Sequence, residues 1–142
     1  MMAERLARHP RVARVHYPGL PGQDPKGLVG RQMAGPGSLL AFEVSGGFEA
    51  ARRVLETVRI MVSAVSLGST DTLIQHPAGL THRCVSDEAR ASNGISASLL
   101  RLSVGLEDPD DLWADLEQAL LAAHAEAPAG KTADAAKVPA GR

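Results

Sequence analysis

Apolar positions along the chain come in short runs separated by glycine- and proline-rich breaks, and only the region after residue 108 carries a long helical stripe. Leu99-Leu100-Arg101-Leu102-Ser103-Val104 reads as a short strand with one arginine inside it, and Gly105 breaks it. Asp108 then suits a helix N-cap, Pro109 suits the first helical position, and Asp110 and Asp111 complement the positive end of the helix dipole. Leu112, Leu116, Ala119 and Leu120 follow at i, i+4, i+7 and i+8, which predicts an amphipathic helix.

Upstream, residues 2–9 favour helix until Pro10, which biases His9 towards extended backbone. With only about two turns, this segment reads as the tail of a longer element. Residues 12–16 alternate as a strand and end in the turn-rich Tyr17-Pro18-Gly19-Leu20-Pro21-Gly22. Leu28 and Arg31-Gln32-Met33 predict a short helix up to Gly35. Residues 38–44 form a second strand. Residues 48–55 form a helix with Phe48, Ala51 and Leu55 on one face, and residues 60–65 form a third strand. Ser86 caps a single helical turn over 86–90, with Gly94 beyond its end. After about Ala123 periodicity ceases, and residues 125–142 are expected to form a disordered tail. Strands and helices joined by short connections predict an α+β domain, a small sheet covered by helices on one side.

A chain of 142 residues with 44% apolar content can form one folded domain, burying about two-thirds of its unfolded surface. Its core must be aliphatic, because the only aromatic side chains are two phenylalanines, one tyrosine and one tryptophan. The 15 basic residues are scattered and offset by 16 acidic ones, so the concentrated positive surface of a nucleic-acid binder is lacking. A single cysteine excludes an internal disulfide and suits a reducing compartment. No run reaches the ~18 apolar residues of a membrane span, and the start lacks the apolar stretch of a signal peptide. A soluble cytoplasmic protein, without membrane or nucleic-acid partners, is the expectation.

Several candidate motifs have plain structural readings. Gly35-Pro36-Gly37 opens a strand instead of a helix and reads as a turn, not a dinucleotide loop. His76 and His82 have no helical metal-pair spacing and read as surface or loop-packing residues. Cys84 lacks an activator and reads as a semi-buried spectator thiol. Ser66, in Val65-Ser66-Leu67-Gly68-Ser69, lacks the glycine that a nucleophile elbow needs two residues earlier. Arg101 alone stays open between two roles. A buried cation without a partner is costly, so it either faces solvent from the outer side of the sheet or waits in a cleft for an anion.

Three segments together bear a resemblance to a known family. They are residues 65–82 (Val-Ser-Leu-Gly-Ser-Thr-Asp-Thr-Leu-Ile-Gln-His-Pro-Ala-Gly-Leu-Thr-His), Gly94-Ile95-Ser96, and residues 100–108 (Leu-Arg-Leu-Ser-Val-Gly-Leu-Glu-Asp). Arg14-Val15-His16-Tyr17-Pro18-Gly19-Leu20-Pro21 and Arg31-Gln32-Met33 match earlier parts of the same pattern. In order and spacing, from about residue 2 to 122, the chain closely resembles the C-terminal domain of the Cys/Met-metabolism family of pyridoxal-phosphate enzymes. That family includes cystathionine γ-synthase, cystathionine γ- and β-lyases, methionine γ-lyase and O-acyl-homoserine sulfhydrylases. It departs from the usual pattern mildly: Asp71 stands where glutamate is common, and Ala78-Gly79-Leu80 where Ala-Ser-Met is common.

The resemblance implies a mostly antiparallel sheet covered on one side, as in the C-terminal domain of fold-type-I enzymes. It makes residues 1–124 the substrate-side domain. By position, Arg101 becomes the residue that grips the substrate's α-carboxylate, a task suited to the two parallel donors of guanidinium. Ser66 becomes a supporting hydrogen-bond residue and Leu67 a wall of the pocket. The implied substrate is a sulfur or O-acyl amino acid, in β- or γ-elimination or γ-replacement. The implied cofactor is pyridoxal 5′-phosphate, held mainly by the family's large domain through a Schiff-base lysine. This chain's lysines are Lys26, Lys131 and Lys137, none in the family's cofactor context, so it is expected not to catalyse alone. Its expected partner is that large domain or a full-length homologue. The alternatives are a non-catalytic module that docks on such a homologue, or an inert fragment.

Overall fold

A computed structural model describes residues 1–125 of the protein; most of the expected tail therefore lies outside the described residues. Strands β1 (Val12–His16), β2 (Leu39–Val44), β3 (Val62–Ser63), β4 (Leu73–Gln75) and β5 (Leu99–Ser103) form one sheet in the order β1-β2-β5-β4-β3. Every pairing is antiparallel except that of β3 with β4. The helices are α1 (Met2–Arg8), α2 (Gly47–Thr57), α3 (Asp87–Ser92) and α4 (Pro109–His124).

Alternation along the strands separates two unlike faces. Leu40, Phe42 and Val44 of β2, Ile74 of β4, and Leu100 and Leu102 of β5 join one buried cluster with α1, α2 and α4. Phe42 is the one aromatic side chain buried at its centre, and the rest of that core is aliphatic or methionine. The intervening residues, among them Ala41, Gln75, Arg101 and Ser103, occupy the opposite, helix-free face. The covered side needs no charge, so Arg101 is placed outward by the same register that buries Leu100 and Leu102.

The local chemistry behaves as the sequence predicts at most termini. His9 leaves α1 in an extended conformation before Pro10. Asp108 accepts from the N–H groups of Asp110 and Asp111 at 2.8 and 3.2 Å, and Leu112, Leu116, Ala119 and Leu120 of α4 are buried. Ser86 caps α3, which runs a little beyond the single turn expected.

Four expectations need correction. Residues 28–33 form no helix: Gly27 and Gly30 take left-handed backbone, and Asp24 accepts the Val29 N–H at 2.8 Å, closing a looped turn. The third strand shrinks to Val62–Ser63, because the Asp115 carboxylate of α4 takes the N–H groups of Arg59, Ile60 and Met61 at 2.8–3.2 Å. Those donors are lost to a ladder. The buried face of α2 is formed by Ala50, Ala51 and Val54, while Phe48 is 40% exposed and leans on His76. Strand β4 is an addition, three buried residues too few to show alternation.

Asp115 is 5% exposed and carries three backbone donors. Replacing it by alanine leaves one buried and two part-buried N–H groups without their acceptor. Asp115→Ala is expected to lower stability by about 3 kcal/mol, read as a reduced urea midpoint by Trp113 fluorescence. An unchanged midpoint would mean that the 59–61 segment finds other acceptors.

Candidate functional site

The connection from β3 to β4 crosses the helix-free face, and three sets of bonds hold it there. The Gly68 N–H donates to the Ser103 hydroxyl of β5 at 3.0 Å. The Thr72 N–H and hydroxyl donate to the two Glu107 carboxylate oxygens at 2.6 and 2.8 Å. The Thr72 hydroxyl also accepts from the Gly105 N–H, and Leu106 N–H donates to the Thr70 carbonyl, both at 2.8 Å. Glycine at 105 is a matter of space: a Cβ there would run into the Thr70 carbonyl oxygen.

This pinned loop meets Arg101. The half-buried arginine stands in the middle of β5, between Ala41 of β2 and Gln75 of β4 in register. One terminal guanidinium nitrogen, Nη2, donates to the Ser66 carbonyl at 2.8 Å. Among the described residues no carboxylate pairs with Arg101, and the rest of its donor fork has no partner. The structure thus brings Arg101 and Ser66 together through the serine's backbone carbonyl. Leu67, next along the loop, is 54% exposed, as is Val65 beside Ser66 at 63%. The guanidinium is oriented, uncompensated and reachable from the open face, an arrangement that suits a carboxylate.

The other candidates fall elsewhere. His76 is buried and packs the loop, its Nε2 at 2.8 Å from the Ala97 carbonyl. Cys84 is exposed, not semi-buried, since the 82–86 segment lies on the surface. Among the described residues no group of three or more His, Cys, Asp or Glu side chains could hold a metal ion. The described residues contain one lysine, Lys26, which lines a cleft with Pro18, Asp24, Leu28 and Met33 to which Arg101 and Ser66 do not contribute. A single cation and backbone groups fit a carboxylate; they do not make a site for a phosphorylated pyridine aldehyde.

Sequence reasoning missed the residues that hold the loop. Glu107 reads from sequence as part of the acidic start of α4, and nothing near Thr72 announces its partner 35 residues away. Gly105 alone left a trace, as a glycine directly after a strand.

The fold is thus a one-sided α+β domain whose open face presents an arginine that no carboxylate among the described residues pairs with. A family model described as Cys/Met metabolism PLP-dependent enzyme matches residues 1–121, and the chain belongs to that family. It is 58% identical over 126 residues to an L-methionine gamma-lyase of Brevibacterium sandarakinum, covering 89% of this chain and 31% of that protein. An L-methionine gamma-lyase of Pseudomonas putida is 50% identical over 122 residues, covering 86% and 31%. Among solved structures, a cystathionine γ-lyase of Micromonospora echinospora superposes with a TM-score of 0.79 at 47% identity, covering 84% of this chain and 31% of that one. A cystathionine γ-synthase of Xanthomonas oryzae pv. oryzae, solved in complex with cystathionine, gives 0.79 at 43%, covering 86% and 32%. The chain therefore spans about a third of the length of these relatives. The family is one of pyridoxal-phosphate-dependent lyases and synthases of sulfur amino acids.

The Glu107 anchor has a pH signature. Burial works to raise its pKa, but the Thr72 N–H, its own N–H and the Thr72 hydroxyl together hold it below the ordinary glutamate value. A depressed carboxylate contributes fully above its unfolded pKa and loses that contribution as pH falls through the folded one. Stability is therefore expected to fall on acidification below about pH 4.3, and Glu107→Gln to remove that part of the fall. Identical pH–stability slopes in the two proteins would show that the carboxylate is not the anchor.

Proposed function

We propose that this chain is the substrate-side, C-terminal domain of a pyridoxal-phosphate-dependent lyase or transferase of sulfur or O-acyl amino acids. Arg101 grips the substrate's α-carboxylate, Ser66 holds the guanidinium through its carbonyl and supports the carboxylate, and Leu67 walls the pocket. The observation that carries this is the half-buried arginine of a central strand, held by Ser66 and facing no carboxylate among the described residues. The L-methionine gamma-lyases among its relatives support elimination at the γ-carbon as the reaction.

Arg101 acts by position and charge. Two parallel N–H groups on a planar fork meet both oxygens of a carboxylate, which fixes the amino acid in one orientation before any bond changes. Holding the acid group in a site that excludes water strengthens that contact. The exposed apolar side chains of Leu39, Val62, Val65 and Leu67 offer a surface on which a neighbouring domain could exclude that water. Pyridoxal phosphate, which supplies the electron sink in this family, is held by that second domain in this reading.

Co-expression of the full chain with the lysine-bearing domain of a relative tests it. The complex is expected to bind pyridoxal phosphate and release an α-keto acid from L-methionine. Arg101→Ala is expected to raise the KM on the order of 100-fold, with Arg101→Lys recovering only part. An unchanged KM in Arg101→Ala would remove the clamp, and a stable complex without turnover would favour a non-catalytic docking module instead.

A further inference from the structure

Beside the arginine lies a buried polar side chain whose bonding is incomplete. Gln75 of β4 is 1% exposed although it stands on the helix-free face, because the loops around it cover it. Its Nε2 donates to the Thr81 hydroxyl at 2.7 Å, and that oxygen lies 2.9 Å from His82 Nδ1. Its Oε1 is the one buried side-chain polar atom without a hydrogen-bond partner among the described residues. Buried acceptors are rarely left unpaired, and one that is calls for a specific explanation. Bulk solvent does not reach this oxygen, and the neighbouring strand offers a donor. The residue directly opposite Gln75 in the β4–β5 register is Arg101, and directly opposite side chains of an antiparallel pair lie within contact range. Arg101 also has N–H groups that the bond to Ser66 does not use.

The bond from Gln75 Nε2 to Thr81 fixes which end of the amide is free. With Nε2 committed to the Thr81 oxygen, the carbonyl end is left over, and it is the end that attracts a guanidinium. Reversing the amide would present an NH2 group beside a cation.

We infer that Gln75 is a positioning residue for the carboxylate clamp: as a carboxylate enters, its free Oε1 takes up an Arg101 N–H and, together with the Ser66 carbonyl, sets the plane of the guanidinium fork. Two neutral acceptors on the same guanidinium orient it without cancelling its charge, as a carboxylate partner would. The proposal rests on the clamp assignment for Arg101 and adds to it a residue that determines how well the clamp is aimed.

The test uses the full chain, 15N-labelled, with acetate as the probe and the Arg101 side-chain N–H resonances as the readout. Acetate is expected to shift and protect these resonances in the natural protein, and Gln75→Leu to weaken that response about tenfold. Gln75→Glu, which keeps the shape and the Thr81 neighbour, is expected to protect the Arg101 N–H groups without acetate and to abolish the acetate response. It also decides the matter should the leucine variant not fold. A residue that only packs the loop would lower the melting temperature and leave Arg101 exchange and acetate affinity as they were; that result overturns the proposal while the clamp stands. No acetate response at Arg101 in the natural protein would instead remove the clamp itself, and the role of Gln75 with it.

Discussion

Glu107 ties the start of α4 to the end of the β3–β4 connection, and the open face of the sheet takes its form from that tie. Both carboxylate oxygens are engaged by Thr72, whose hydroxyl turns back to the Gly105 N–H at the end of β5. The connection cannot lift away without leaving these groups unpaired, so it lies across the sheet. The Ser66 carbonyl is thereby delivered to the Arg101 guanidinium. A hydrogen bond to a flexible, solvated loop would orient an arginine poorly; a bond to a loop fixed at Gly68 and Thr72 orients it well.

The same sheet serves two incompatible demands because its faces are separated by the pleat. On one side, apolar residues of β2, β4 and β5 meet α1, α2 and α4 in a closed core. On the other, polar residues stand among exposed apolar ones, with no helix over them. A charge in the first environment would be prohibitive without a partner. In the second it is partly hydrated, and no carboxylate among the described residues pairs with it. The alternation of β5 places Arg101 between Leu100 and Leu102 in sequence and on the opposite side from them in space.

Several elements were legible because their signals are local. The α4 cap, stripe and length follow from Asp108, Pro109 and the leucine spacing, and the end of α1 follows from Pro10. The helix expected at residues 28–33 failed because two glycines there take left-handed backbone, which turns the chain too sharply for a helix. The long third strand failed for a non-local reason. Asp115, 54 to 56 residues away, claims the N–H groups that its pairing would use. Phe48 was placed inward by helical spacing, but the two glycines that open α2 and the packing on α4 set a different rotation.

By itself the sequence determined the α+β class, the one-sided aliphatic core, the well-capped last helix and the candidacy of Arg101 and Ser66, the last through resemblance. It left open whether that arginine faced solvent or an anion site, since a strand's alternation tells which residues share a side and not what lies over it. Tertiary structure set what surrounds it. Folding brought the Ser66 carbonyl to the guanidinium, set Gln75 opposite Arg101 in register and tied the loop down through Glu107 and Thr72, and hydrogen bonds between such distant positions leave no periodic trace along the chain.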